Sequence, residues 1–289
     1  MGGRRQRGLD ERGRVAGSSV RQEARDYRAI DTPGLLGSVP WCMPQRWLLT
    51  ENGWKVDVLL AGSWRGATCV LLSAGRRHVV VDTGMPHESP LLLAALEQRG
   101  LRPADIEGVI NTHFHIDHVL NNSLFSNSTI YASQQSYDWC CSLYSDLRDM
   151  EHWEKLVLKY YPETFEYERA GELMGKLRKI ALRWWDVERL GHRSRFRWTE
   201  TGALPEGLET LVTAGHVPGH LSIVVHTPSE HTVIAGDVVL SRDAEAEILT
   251  MIPHRRRQSE LDRNHLLALG GRVLPGHDTE FVNTVTVQG

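Results

Sequence analysis

The sequence predicts an α/β protein folded as a four-layer αββα sandwich with a helical insertion. Short apolar runs of strand length fall into two sets, and helical stretches lie between and outside those sets. The His- and Asp-bearing turns follow the C-terminal ends of such runs, where sites on α/β scaffolds collect. The 289 residues suffice for one large domain or two small ones. A hydrophobic fraction of 41% and a charged fraction of 24% are ordinary for a globular protein.

Residues 1–30 hold eight arginines, several glycines and few large apolar side chains, so a disordered basic tail is expected there. Asp10, Glu11, Glu23 and Asp26 count against a transit peptide, and no apolar core of a secretory signal follows. The domain is then expected over 31–289. Its first strand starts at Lys55, with Val56, Val58 and Leu60 alternating with Lys55, Asp57 and Leu59. Strands follow at 67–73 and 78–82, the second almost wholly apolar and therefore buried on both faces. From Pro86 to Arg99 a stripe of Leu91, Leu92, Ala95 and Leu96 predicts a helix that Gly100 stops. Val109 and Ile110 read as a buried strand, residues 121–125 as a short helix, and 129–132 as another strand.

Residues 133–192 are helical in composition and rich in rings: Trp139, Tyr144, Trp153, Tyr160, Tyr161, Phe165, Tyr167, Trp184 and Trp185. Pro162 is expected to divide this insertion into two helical arms. Most of the rings are expected to pack the helices onto the sandwich or into a dimer contact, leaving a few to line a pocket. Arg193, Arg195 and Arg197 alternate, so they are expected on one strand face, either solvated or clamping a substrate anion. Strands are expected again at 209–213, 221–227, 232–237 and 272–277, with a surface helix starting at His254–Arg257.

A net charge of −3 argues against broad nucleic-acid binding. No apolar run approaches the roughly 18 residues of a membrane span. The four cysteines, Cys42, Cys69, Cys140 and Cys141, show no paired spacing, so a reducing, cytoplasmic setting is expected. Cys140 and Cys141 are read as one buried and one partly exposed thiol on a helix.

The chemistry concentrates in Thr112-His113-Phe114-His115-Ile116-Asp117-His118. Three imidazoles and a carboxylate within six residues suit a divalent transition metal. His113 and His115, at i and i+2, share one side of an extended segment. Asp117 and His118 can turn towards a second point roughly 3.5 Å away. Downstream, His216, Asp237 and His277 each end a short β-type run, preceded by Gly215, Gly236 and Gly276, which permit sharp turns and close backbone approach.

This order, HxHxDH and then His, Asp and His, resembles the metallo-β-lactamase-fold hydrolases, and Val80-Val81-Asp82-Thr83-Gly84 looks like their first motif. The resemblance runs from about residue 55 to 280. It implies that His113, His115 and His216 hold a first metal and that Asp117, His118 and His277 hold a second. Asp237 would bridge the two, and Asp82 would orient the ligand loop. The insertion would lie over the site. Histidine at position 115, and aspartate rather than cysteine at 237, favour two zinc ions, with iron or manganese as alternatives. His220 is expected to support the ligands rather than join them. Leu240 stands where acyl-homoserine lactonases place a tyrosine.

The implied activity is hydrolysis by a hydroxide bridging two zincs, with Asp117 as the catalytic group that orients the nucleophile and shuttles its proton. The expected substrate is a small ester, lactone, thioester or amide with an apolar portion. Phosphodiester cleavage and a mononuclear iron oxygenase are the alternatives. The expected partner is a small molecule, with nucleic acid and membrane disfavoured and a homodimer left open.

Overall fold

Alternation along the strands builds the layers. The structure, a computed structural model, describes residues 53–63, 66–148, 152–164, 170–226, 231–243 and 253–284. The tail expected over 1–30, the domain start at 31, Cys42, Phe165 and Tyr167 lie outside the described residues. The first sheet has six strands: β1 (Lys55–Leu60), β2 (Cys69–Ala74), β3 (Arg77–Val81), β4 (Gly108–Ile110), β5 (Thr129–Ala132) and β6 (Phe196–Trp198), in that order. The second has five: β7 (Glu209–Val212), β8 (Leu221–His226), β9 (His231–Gly236), β10 (Gly271–Pro275) and β11 (Phe281–Asn283), ordered β11-β10-β9-β8-β7.

Val70, Leu72, Val79, Val81 and Ile110 point from the first sheet into one cluster with Ile223, Val225, Ile234 and Leu274 of the second. Their sequence neighbours Leu71, Val80 and Val109 face the other way, onto Leu92 and Leu96 of helix α1 (Ser89–Glu97). On the far side, Val233, Ala235 and Val273 meet Leu266 of helix α6 (Arg256–Ala268). Period-2 strands buried on both faces therefore give the sandwich its helix–sheet–sheet–helix order. Each such Val, Leu or Ile contributes about 1.5–3 kcal/mol by leaving water.

Several expectations change in detail. A register shift between Val58 and Leu60 turns Leu59 into the core, while Val56 and Val58 stay half-buried. Leu91 falls outside the buried stripe of α1 and is 62% exposed. The short helix expected at 121–125 is a 3-10 turn, Asn122–Leu124, and the α-helix starts earlier, inside the motif, as α2 (Ile116–Val119). The insertion holds three helices rather than two arms: α3 (Gln134–Asp146), α4 (Trp153–Tyr160) and α5 (Ala170–Trp184). Pro162 opens a 3-10 turn and does break the segment after α4. Most of its rings pack inward: Tyr144 stacks on Trp185 at 4.2 Å, and Tyr160 and Tyr161 join the core beneath the first sheet's helices. Cys140 is buried and Cys141 half-buried on α3, both as free thiols. Among the described residues no helix is long and apolar enough to cross a membrane.

The three arginines do not share a strand face. Residues 193–195 form a 3-10 turn, and β6 starts only at Phe196. A 3-10 turn advances three residues per turn, so side chains two apart diverge. Arg193 lies over the Tyr137 and Trp198 rings, and Arg195 donates to the carbonyls of Phe125, Ser128 and Asn122. Arg197 bonds the Ser194 and Phe196 carbonyls. Arg193 and Arg197 are exposed and Arg195 half-buried, so the three are solvated or held by local backbone and rings, and the alternative of an anion clamp is not formed.

Candidate metal centre

The centre starts at the end of β3. Asp82 takes φ +55, a left-handed conformation that Asp tolerates better than most residues. There its carboxylate accepts the Thr112 N–H at 2.9 Å and the Thr112 hydroxyl at 2.7 Å. It also accepts the His118 Nδ1–H at 2.7 Å. Because the Thr112 hydroxyl donates to the carboxylate, its oxygen can accept the Nδ1–H of His113 at 3.0 Å. Both imidazoles are thereby fixed with Nε2 pointing inward, and on the neutral His113 that nitrogen is free of hydrogen.

Three other turns bring the remaining groups. After β7, the His216 loop is strapped to the start of α6: the His254 and Arg255 N–H groups donate to the His216 and Gly215 carbonyls at 2.7 and 2.9 Å. The Gly215 N–H donates to the buried Asp262 carboxylate at 2.9 Å. A Cβ on Gly215 would collide with the backbone of Ser259, so the helix packs onto bare main chain. β9 delivers Asp237, and a Cβ on Gly276 would strike its Oδ1. His277, after β10, donates Nδ1–H to the Ser63 carbonyl at 2.9 Å, and Thr68 ties that loop to the Gly276 carbonyl.

All seven expected ligand residues meet. His113, His115, His216 and Asp237 each offer one ligand atom within a single cluster, and Asp117, His118 and His277 form a second. Asp237 faces both. Its Oδ2 lies 3.7 Å from His113 Nε2 and 3.5 Å from His216 Nε2. Its Oδ1 lies 3.1 Å from His118 Nε2 and 3.4 Å from His277 Nε2. Asp117 Oδ2 is 3.3 Å from His277 Nε2, and His115 Nδ1 is 3.1 Å from His216 Nε2.

Both Asp237 oxygens and the Nε2 atoms of His113, His118 and His277 are buried without a hydrogen bond of acceptable geometry. Such orphaned groups cost about 1–3 kcal/mol each unless something else satisfies them. A divalent cation satisfies all of them at once, and imidazole nitrogen with carboxylate oxygen is a donor set that suits one. The residues therefore fit a metal pair.

The charges divide between the clusters. Burial holds His113 and His216 well below the usual histidine range and lowers His115 to about 4. Burial also opposes charge on His118 and His277, but carboxylates outweigh it. Asp237 and Asp82 raise His118 well above the usual range, and Asp237 with Asp117 raises His277 to about 9. For Asp237, burial favours the neutral acid, yet His118 and His277 prevail and hold it well below the usual carboxylate range.

His113, His118, His216 and Asp237 are buried, whereas His115, Asp117 and His277 are only partly buried, so solvent reaches the centre along the edge they form. Beside His115, with ring centroids 6.2 Å apart, stands the half-exposed Trp139 of α3. It packs edge-to-face on Tyr160, Tyr161 and His254 at 5.3, 5.8 and 5.7 Å. His220 belongs to neither cluster. It lies behind the centre, its pKa lowered to about 3 by burial, and accepts the Asp237 N–H. Thr112, Thr213, Ser63 and Asp262 escaped the sequence reading. Thr112 adjoins the motif and Thr213 directly follows β7, which are usable signals, whereas Ser63 and Asp262 carry none.

Residues 62–277 match the metallo-beta-lactamase superfamily. The chain is similar to metallo-beta-lactamase domain-containing protein 1 of Mus musculus, 34% identical over 81% of this chain and 73% of that protein. It is also similar to the Xenopus laevis protein of that name, 27% identical over 73% of this chain and 71% of that protein. Among solved structures its fold is similar to that of a dizinc quorum-quenching lactonase in complex with a product. That likeness has a TM-score of 0.52 at 17% identity, covering 82% of this chain and 90% of the other.

Proposed function

Since the chain belongs to the metallo-beta-lactamase superfamily, we propose that it is a metal-dependent hydrolase of small esters, lactones, thioesters or amides that carry an apolar portion. The observation that supports this best is Asp237, buried without hydrogen bonds and turning one oxygen to each cluster of ligand atoms. His113, His115 and His216 with Oδ2 of Asp237 would hold one ion. Asp117, His118 and His277 with Oδ1 would hold the other. Zinc fits this nitrogen-rich set, with iron or manganese as alternatives. When bound, the ions supply Lewis acidity and lower the pKa of water from 15.7 towards about 7.

The chain's own groups do the rest. Asp117 is half-exposed on the open side, so its carboxylate can orient the attacking water, take its proton and deliver it to the leaving atom. Asp82 and Thr112 hold His118 and His113 in the tautomers that present Nε2. Trp139, at the solvent-facing edge beside His115, would cover the apolar part of the substrate and exclude water. A small-molecule substrate in a reducing, cytoplasmic setting completes the reading. The phosphodiester alternative loses its motive, because local contacts absorb Arg193, Arg195 and Arg197. Two ligand clusters, rather than one, favour the dinuclear over the mononuclear alternative.

Metal analysis of purified protein should give near two ions per chain, with hydrolysis of acyl reporter esters that chelator or His115→Ala abolishes. Trp139→Ala should raise KM about 10-fold for long acyl chains, as lost apolar burial would, and leave acetyl esters unchanged. A metal-free protein, or hydrolysis that survives chelation, would remove the proposal.

A further inference from the structure

His220 lies at the one place where β9 departs from its ladder. The strand pairs with β8 as far as Ile234 opposite Ile223, and then Gly236 takes φ +56. A Cβ at 236 would stand 2.7 Å from His220 Nε2, so the turn and the imidazole need each other's shape. Beyond the turn, the Asp237 N–H points at no strand and donates to His220 Nε2 at 3.1 Å.

That first link sets the direction of every later one. An Nε2 that accepts carries no hydrogen, so Nδ1 holds it and donates to Thr213 Oγ1 at 2.8 Å. The Thr213 hydroxyl is then free to donate to Ser222 Oγ at 2.9 Å. The Ser222 hydroxyl donates to the Ala235 carbonyl at 2.9 Å. The relay leaves β9 at Asp237 and returns to it at Ala235, spanning the left-handed glycine on the side where the pairing with β8 has ended. All three side chains and both ends are buried. The Thr213 N–H also donates to the His220 carbonyl at 2.9 Å, closing the loop that carries His216.

We propose that His220 is a positioning residue: through the Asp237 N–H and the Thr213 hydroxyl it holds Asp237 and the His216 loop in the relative placement that both metal clusters require, without itself ligating. This rests on the metal-centre reading above. Hydrogen-bond partners behind metal ligands typically carry 10–100-fold in metal affinity.

The test compares two amides in the full chain. His220→Gln sets an acceptor oxygen near the place of Nε2 and keeps the Asp237 link, whereas the shorter His220→Asn reaches only towards Thr213. Zinc affinity is read by chelator competition, and metal-free thermal unfolding is read beside it. The expected result is a 10–100-fold weaker affinity for Asn, Gln within a few-fold of the parent, and similar metal-free melting for the two. Thr213→Val keeps the ring but removes the acceptor that fixes its tautomer, should weaken zinc in the same direction, and decides the matter if the Asn variant does not fold. Equal affinities for Asn and Gln, with Thr213→Val like the parent, overturn the inference alone. A parent that takes up no zinc overturns the metal-centre reading, and this inference with it.

Discussion

His113, His115 and His216 approach Asp237 from one side, and Asp117, His118 and His277 from the other, yet the two sets meet it in different protonation states. On the first side, burial strips the imidazoles of charge: His115 is lowered to about 4, and His113 and His216 fall well below their usual range. On the second side, Asp82, Asp117 and Asp237 overcome the same burial and keep protons on His118 and His277. A cation entering the first cluster finds lone pairs ready. One entering the second must displace protons, so its binding is linked to pH. The partly buried residues His115 of the first side and Asp117 and His277 of the second share the open edge, so the proton-handling groups of the second side meet solvent there.

Among the described residues Asp237 alone faces both sides, and its loss breaks the comparison outright. Asp237→Asn keeps the shape, removes the negative charge and gives each cluster a poorer donor. Zinc affinity should fall more than about 100-fold on both sides, beyond the range set by outer partners. Isothermal titration should then find no tight site. Retention of one tight ion would mean that the first cluster is complete without the carboxylate.

The next effect sharpens the difference instead. Zinc titrations between pH 6 and 9 should show one ion held across the range and a second that tightens as pH rises towards about 9, where His277 gives up its proton. The metal-free protein carries the complementary signature. The folded pKa of His277 lies above its ordinary value, so its contribution to stability is complete below about 6.5 and is lost as pH rises through about 9. His115 is the opposite case. Its folded value of about 4 lies below the ordinary one, so stability declines as pH falls from 6.5 towards 4. Metal-free unfolding should therefore show its greatest resistance near neutrality, and two ions with the same pH dependence would refute the division.

The residues that meet on both sides are legible because they lie in short local patterns, either the heptapeptide or a glycine followed by His or Asp at a strand end. What stayed hidden is held by contacts far along the chain. Asp262 meets Gly215 across 47 residues, and the Ser63 carbonyl meets His277 across 214. Nothing near Asp262 or Ser63 announces either contact. Spacing also misled where the backbone period differed from the assumed one. The alternation of Arg193, Arg195 and Arg197 is a strand signature only if the segment is a strand, and half of it is a 3-10 turn. Likewise the regular alternation of β1 broke at the bulge that buries Leu59. In the sandwich itself, runs such as Val79–Val81, apolar on both faces, left little room for another reading.

A change at the cap of the insertion's first helix, outside both clusters, supplies the control. Ser133 caps α3 by accepting the Ser136 N–H, and its hydroxyl donates to Glu200 Oε1 at 2.6 Å. The Gln134 and Gln135 N–H groups also donate to that carboxylate, at 3.2 and 3.3 Å. A negative charge at the positive end of a helix contributes on the order of 0.3–1 kcal/mol. Glu200→Gln should therefore lower stability by no more than about 1 kcal/mol, read as a small shift in denaturant midpoint. Partial burial pushes the Glu200 pKa up, but these hydrogen bonds outweigh it and hold it low. The deficit relative to the parent should thus be present at neutral pH and fade as acid protonates Glu200 in the parent. Both zinc affinities should stay as in the parent, because α3 touches the motif through Trp139 beside His115 and through the Tyr144 hydroxyl, which accepts the Ile116 N–H, and neither contact is made by the capping residues. If one side of Asp237 weakened and the other did not, the insertion would be part of that side's support, and the asymmetry would belong to packing as well as to charge.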